Sequence, residues 1–127
     1  MAKKMTDANL KSYSRLVKEP KYLDYLGEFL IDSEQIVDSF KSAKEGVVFT
    51  NKRIIIISVS GAFGKKRQFT SYPYHRITTF VVSTAKDLES NAVLDLGYFG
   101  TPNLRFEFSG KSEIKTIMKY ITEAVIK

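Results

Sequence analysis

Between residues 34 and 109 the apolar positions recur at every second residue, in short runs separated by glycine-bearing or polar breaks. The runs are EQIVDSFKS, VVFT, RIIIISVS, RQFTSYPY, ITTFVVST, NAVLDLGYF and LRFEFS. A period of two predicts strands, and their regular spacing predicts an antiparallel barrel or sandwich. The last run is the cleanest, with Leu104, Phe106 and Phe108 on one face and Arg105 and Glu107 on the other.

On either side of this block the period lengthens. Leu10, Tyr13 and Val17 follow one another at three- and four-residue spacing behind Thr6 and Asp7, either of which can cap a helix, and Pro20 interrupts the pattern. In KYLDYLGEFL, Tyr22, Leu23, Leu26, Phe29 and Leu30 share one helical face, so the first 31 residues read as a helical hairpin. Near the other end Ile114, Ile117, Met118, Ile121 and Val125 form a stripe, with Ser109 and Gly110 where a cap is expected and Glu113 in the first turn. That predicts an amphipathic C-terminal helix packed on the strands.

One run breaks the alternation. Ile54 and Ile56 point to one side of their strand and Ile55 and Ile57 to the other, so both faces are apolar. Such a strand requires a cover on its outer face. The N-terminal helical hairpin or a second copy of the chain can supply it.

Composition narrows the chemistry. The chain has no cysteine, which removes disulfides, thiolate metal sites and cysteine nucleophiles. It shows no apolar run of signal-peptide or membrane-spanning length, so the expectation is a soluble, cytoplasmic protein without a cofactor. The net charge of +6 is concentrated in one place. Residues 41–76 carry Lys41, Lys44, Lys52, Arg53, Lys65, Lys66, Arg67 and Arg76 against Glu45 alone, while the flanking segments are close to neutral.

The run GEFLIDSEQI…FTNKRIIII…GKKRQFTSYPYHRITTF resembles the bacterial pleckstrin homology (PH) family. The residues that carry the resemblance are the hairpin Phe49, Thr50, Asn51, Lys52, Arg53 ahead of an aliphatic strand, and the pair Pro73-Tyr74 leading into the next. It spans residues 28–121, and AKDLESNAVLDL departs from the aspartate-rich loop the family has after the fourth strand. The resemblance implies a mainly β, α+β fold: a seven-stranded, antiparallel, partly open barrel capped by the C-terminal helix and here preceded by the helical hairpin. The chain then reads as a single domain, with an extension at 1–31, the barrel at 32–110 and the helix at 111–127. It further implies binding or scaffolding rather than catalysis, and homo-oligomers.

Each candidate site has a plainer reading beside it. Eukaryotic PH domains that hold phosphoinositides place basic residues on the second strand, where this chain has Val47, Val48 and Phe49. A generic anion surface at Lys41, Lys44, Lys65, Lys66 and Arg67 remains, against a solvated face that serves solubility. GAFGKKR lacks the glycine spacing, the hydroxyl after lysine and the following helix of a phosphate loop, and reads as a hairpin turn; Phe63 at its tip is expected to fold back on the barrel, the alternative being a membrane or partner anchor. His75 is the single histidine and supports neither a multi-histidine metal site nor a triad; Asp87 and Glu89 are close but fall in a loop. Most aromatics lie on the apolar side of the alternation, which argues for core rather than a nucleic-acid platform. The expected function is a non-enzymatic scaffold that self-associates and binds protein partners. The alternative is peripheral binding of anionic lipid or phosphate-bearing ligands through the basic hairpin loops.

Overall fold

The computed structural model of the chain describes residues 10–87 and 89–126. Its strands are β1 (Leu10–Lys18), β2 (Ile36–Lys41), β3 (Glu45–Thr50), β4 (Arg53–Ser60), β5 (Lys66–Pro73), β6 (Ile77–Ser83), β7 (Val93–Tyr98) and β8 (Asn103–Phe108), followed by helix α1 (Ile114–Val125). They form one eight-stranded sheet in the order β5-β4-β3-β2-β1-β8-β7-β6, a PH-like half-barrel with one C-terminal helix. Each of the seven period-two runs is a strand. The inward sets Phe40, Val47, Phe49, Ile54, Ile56, Leu94, Leu96, Leu104, Phe106 and Phe108 share one core with Ile114, Ile117 and Ile121 of α1.

Among the described residues the helical hairpin expected at the N-terminus is absent, and the count is corrected to eight strands. The positions of Thr6 and Asp7 lie outside the described residues. Residues 10–18 instead form β1, which pairs parallel to β8 along Leu10 to Leu16 and antiparallel to β2 at Val17 and Lys18, so the sheet is not wholly antiparallel. The register slips between Tyr13 and Leu16, where Arg15 sits at φ 54, and a bulge places the next buried residue three positions on rather than two. The buried pair is thus Tyr13 and Leu16, and Val17 of the expected helical face is 39% exposed.

The second expected helix shrinks to one 3-10 segment, Pro20–Tyr25, with Pro20 in its first turn and the Glu19 carboxylate accepting from the Lys21 N–H. It lies across the outer face of β3 and β4. Tyr22 and Leu26 close over Val48, Ile55 and Ile57, with Phe69 and Val59 at the margin. The cover demanded by the isoleucine run is therefore a segment of the same chain. Gly46 makes the fit possible: a Cβ there would come within 2.5 Å of the Tyr22 ring.

Helix α1 also starts later than the sequence suggests. Ser109 and Gly110 form a turn, with Gly110 at φ 83 donating its N–H to Asn91 Oδ1, and the helix begins at Ile114. Its first turn is capped from across the core. Asp38 of β2, 8% exposed, accepts from the Glu113 N–H at 2.9 Å and from the Ser39 N–H at 3.0 Å, and Lys18 approaches Asp38 at 3.7 Å. A carboxylate at a helix N-terminus is favoured by the orphan N–H groups and the dipole there.

Candidate functional site

The two sequence features that carry the family resemblance meet in space. The Tyr74 O–H, fully buried, donates to the Thr50 carbonyl at 2.7 Å, and the Tyr74 N–H donates to the Lys52 carbonyl at 3.0 Å. Pro73 ends β5 opposite Arg53. Asn51 holds the approach to β2, accepting from the Gln35 N–H at 2.8 Å and donating to the Ser33 carbonyl at 3.1 Å. The Thr50 hydroxyl accepts from the N–H groups of Lys52 and Arg53, and Phe49 is in the core. Within this hairpin only the Lys52 side chain is exposed. The motif is a joint between strands rather than a ligand site, and burial pushes the Tyr74 hydroxyl pKa far up, so it stays a neutral donor.

Arg53 does more than begin a strand. Its Nε donates to Glu34 Oε2 at 2.8 Å, one Nη to Glu34 Oε1 at 3.0 Å and to the Phe29 carbonyl at 2.7 Å, and the other Nη to Ser71 Oγ at 3.1 Å. Glu34 also receives the Thr50 hydroxyl at 2.7 Å and the Ile31 N–H at 3.3 Å. Burial works to raise the Glu34 pKa, but the bonds from Arg53, Thr50 and Ile31 prevail and hold it below the usual carboxylate value. This bidentate pair latches the cover segment to the β3-β4 hairpin. Ile54 and Ile56 face the core and Ile55 and Ile57 face the cover, so none of the four is an open binding surface.

The five basic candidates do share one end of the sheet. The β2-β3 turn carries Lys44 and follows Lys41, and the β4-β5 turn at the same end leads into Lys65, Lys66 and Arg67. They are not equivalent, however. Lys41 pairs with Glu19 at 3.6 Å, and the Arg67 guanidinium lies 4.2 Å from the centre of the Tyr25 ring. Lys44, Lys65 and Lys66 are exposed and join no ion pair among the described residues. Phe63 does not fold back: it is 96% exposed at the hairpin tip.

His75 is exposed and lines a cleft of about 430 Å3 with Lys52, Tyr120 and Glu123. Asp87 is committed to its own turn, accepting from the N–H groups of Ser90 and Glu89 and from the Ser90 hydroxyl, which lowers its pKa. Two features escaped the sequence reading. The sheet ends at β6, an edge without a charge or a proline, and beside its start a cleft of about 520 Å3 is bordered by Pro73, Arg76, Ile77 and Phe99. Phe99, in the β7-β8 turn, is 93% exposed. Alternation identifies strands but does not say which are edges, so neither feature was visible as a site.

The fold matches that of known proteins. The family model described as bacterial PH domain matches residues 4–125, which takes in β1. The uncharacterized protein YjqA of Bacillus subtilis (strain 168) is 33% identical over 98 residues, covering 76% of this chain and 78% of that protein. A crystal structure of a protein with a pleckstrin-homology domain from Shewanella loihica aligns with a TM-score of 0.62 at 32% identity, covering 89% of this chain and 97% of that one. A pleckstrin homology domain from Shewanella amazonensis aligns with a TM-score of 0.54 at 30% identity, over 90% and 93% of the two chains. The chain belongs to the bacterial PH domain family.

Proposed function

We propose that this bacterial PH domain is a non-catalytic scaffold that joins further copies of itself, and protein partners, by extending its sheet at β6. The observation that carries the reading is the edge itself. Among the described residues β6 has β7 on one side and no strand on the other, and its sequence ITTFVVS holds neither a charge nor a proline. Val81 is 48% exposed on it. Sheet edges are ordinarily guarded by lysine, proline or a cover, because unpaired N–H and C=O groups template another strand. The opposite edge, β5, obeys that rule with Lys66, Arg67 and Pro73. An unguarded β6 suits pairing by strand addition, and exposed Phe99 near its start adds apolar contact area.

The two-faced isoleucine strand is covered within the chain by Tyr22 and Leu26 and offers no face for self-association, which leaves β6 as the surface for it. The non-catalytic part of the reading is supported by residue supply: a single histidine, exposed, and no cysteine. Among the described residues no helix is long and apolar enough to cross a membrane. A cytoplasmic place fits the cysteine-free composition.

Light scattering coupled to size exclusion at tens of micromolar tests the proposal. The wild type is expected well above the 14.5 kDa of one chain, and V81K, which puts a charge on the edge, is expected at that mass. A monomeric wild type would remove the proposal.

A further inference from the structure

We infer that the groove between the β6 edge and helix α1 takes an extended, acidic segment of another protein, with apolar residues at its centre. The inference rests on β6 being an open edge and adds what the partner strand must carry.

The groove follows from how α1 is placed. The helix packs on the Tyr74–Arg76 turn that leads into β6, with Tyr120 and Ala124 beside His75. Its other end is tied to the loop beyond β6, where the Ser112 N–H donates to the Glu89 carbonyl at 3.2 Å. The helix thus runs back along the edge strand, and the two are in contact. Tyr120 shares its flank with Asn51 and Lys52 of the β3-β4 turn. Met118 and Thr122, each two residues from Tyr120, fall on the opposite flank and so toward β6.

On that flank Lys115, Met118, Lys119 and Thr122 border a cleft of about 490 Å3. Met118 packs on the core while staying half-buried, as do Phe80 and Val82 of β6. Core surface therefore continues to the edge of the sheet. A strand added to β6 sends alternate side chains toward α1, and the central ones lie beside Phe80, Val82 and Met118, where burial favours apolar residues.

The rim of the groove is basic. Lys115 and Lys119 stand on its α1 side, Arg76 is exposed where β6 begins, and Lys86 is exposed just past its end. Arg76, Lys86 and Lys119 join no ion pair among the described residues, and Lys115 has only Glu89 at 3.9 Å, an exposed pair of little weight. Glu123 is the one carboxylate among the described residues that lines the cleft. A second copy does not answer this charge: its β6 holds no carboxylate, and its β5 brings Lys66 and Arg67. Copies pair through backbone alone, and a strand bearing carboxylates binds in their place.

Fluorescence anisotropy at low salt, with a labelled peptide of central valines flanked by glutamates, tests the inference. Saturable binding is expected, weaker by about tenfold when glutamine replaces glutamate and lost when a proline interrupts the valines. K119E is expected to weaken the glutamate peptide by about fivefold and to strengthen a lysine-flanked one. Lys119 is exposed, so the thermal midpoint of K119E should match wild type. K65Q/K66Q, at the far end of the sheet, should bind as wild type does. Hydrogen exchange with the peptide bound should show protection over residues 77–83. Equal binding of the glutamate and glutamine peptides, K119E behaving as wild type, or protection that spares β6 would each overturn the inference. Light scattering keeps it apart from self-association. An oligomer that the peptide neither binds nor dissociates overturns the inference in favour of a second copy as occupant, with β6 pairing intact. A monomer that takes the peptide along β6 supports the inference and removes self-association alone.

Discussion

Replacing Arg53 with methionine removes the latch while keeping most of the side-chain volume. Four hydrogen bonds disappear, to both Glu34 oxygens, the Phe29 carbonyl and Ser71 Oγ. The Glu34 side chain is 1% exposed, so its carboxylate stays buried with only Thr50 and Ile31 as donors. Stranding a buried charge costs about 3–5 kcal/mol, and the 24% exposure of Arg53 points to the lower end, about 3 kcal/mol. At this chain length a loss of that size lowers the melting midpoint by roughly 12 °C. The acid response carries the sharper signature. In the wild type the Glu34 pKa is depressed, so its contribution is full above the unfolded value of about 4.3 and is lost as pH falls through the lower folded value. In R53M burial is no longer outweighed, the folded pKa rises, and protonation relieves the protein instead. Melting followed by circular dichroism should therefore show the gap between R53M and wild type narrowing from neutral pH to about pH 4. R53M/E34L, with both charges gone, should recover most of the loss. A midpoint within experimental error of wild type, or a gap that widens on acidification, would refute the latch.

Three further substitutions test neighbouring parts of the account. G46A forces its Cβ against the Tyr22 ring, so the cover should loosen at a cost of about 1–3 kcal/mol, seen as a lower urea midpoint and new dye binding over Ile55 and Ile57. Y74F takes the buried hydroxyl from the Thr50 carbonyl, and chemical denaturation should report a loss of about 1–3 kcal/mol with the fold retained. D38A leaves the Glu113 and Ser39 N–H groups without their acceptor and should cost about 1–2 kcal/mol, with the loss of helical signal falling on the first turn of α1 by hydrogen exchange.

The legible part of this fold is where burial alternates in single steps. LRFEFS states its strand outright, and the stripe from Ile114 to Val125 states its helix, because pleat and helix impose fixed periods on any residue that must reach the core. β1 is not legible in this way. Its bulge at Arg15 spaces the buried pair Tyr13 and Leu16 by three, so no alternation marks the strand, and the three- and four-residue spacing of Leu10, Tyr13 and Val17 suggests a helix instead. The need for a cover over Ile55 and Ile57 was legible, but its form was not, since Tyr22 and Leu26 need only one short turn, followed by Gly27, to reach the sheet. Among the basic residues, charge was legible and partnership was not: Glu19 neutralises Lys41 and Tyr25 holds Arg67 only once the chain has folded. The edge at β6 depends on strand order, which is set by β1 entering between β2 and β8, and no local pattern in ITTFVVS records that.

The central claim, that β6 pairs with another chain, is tested most directly by amide hydrogen exchange along residues 77–83 at rising protein concentration. Pairing predicts that the outward-facing amides of β6 become protected at tens of micromolar and exchange freely on dilution, while V81K stays unprotected throughout. Exchange of β6 at one rate at every concentration, in wild type and V81K alike, would contradict it.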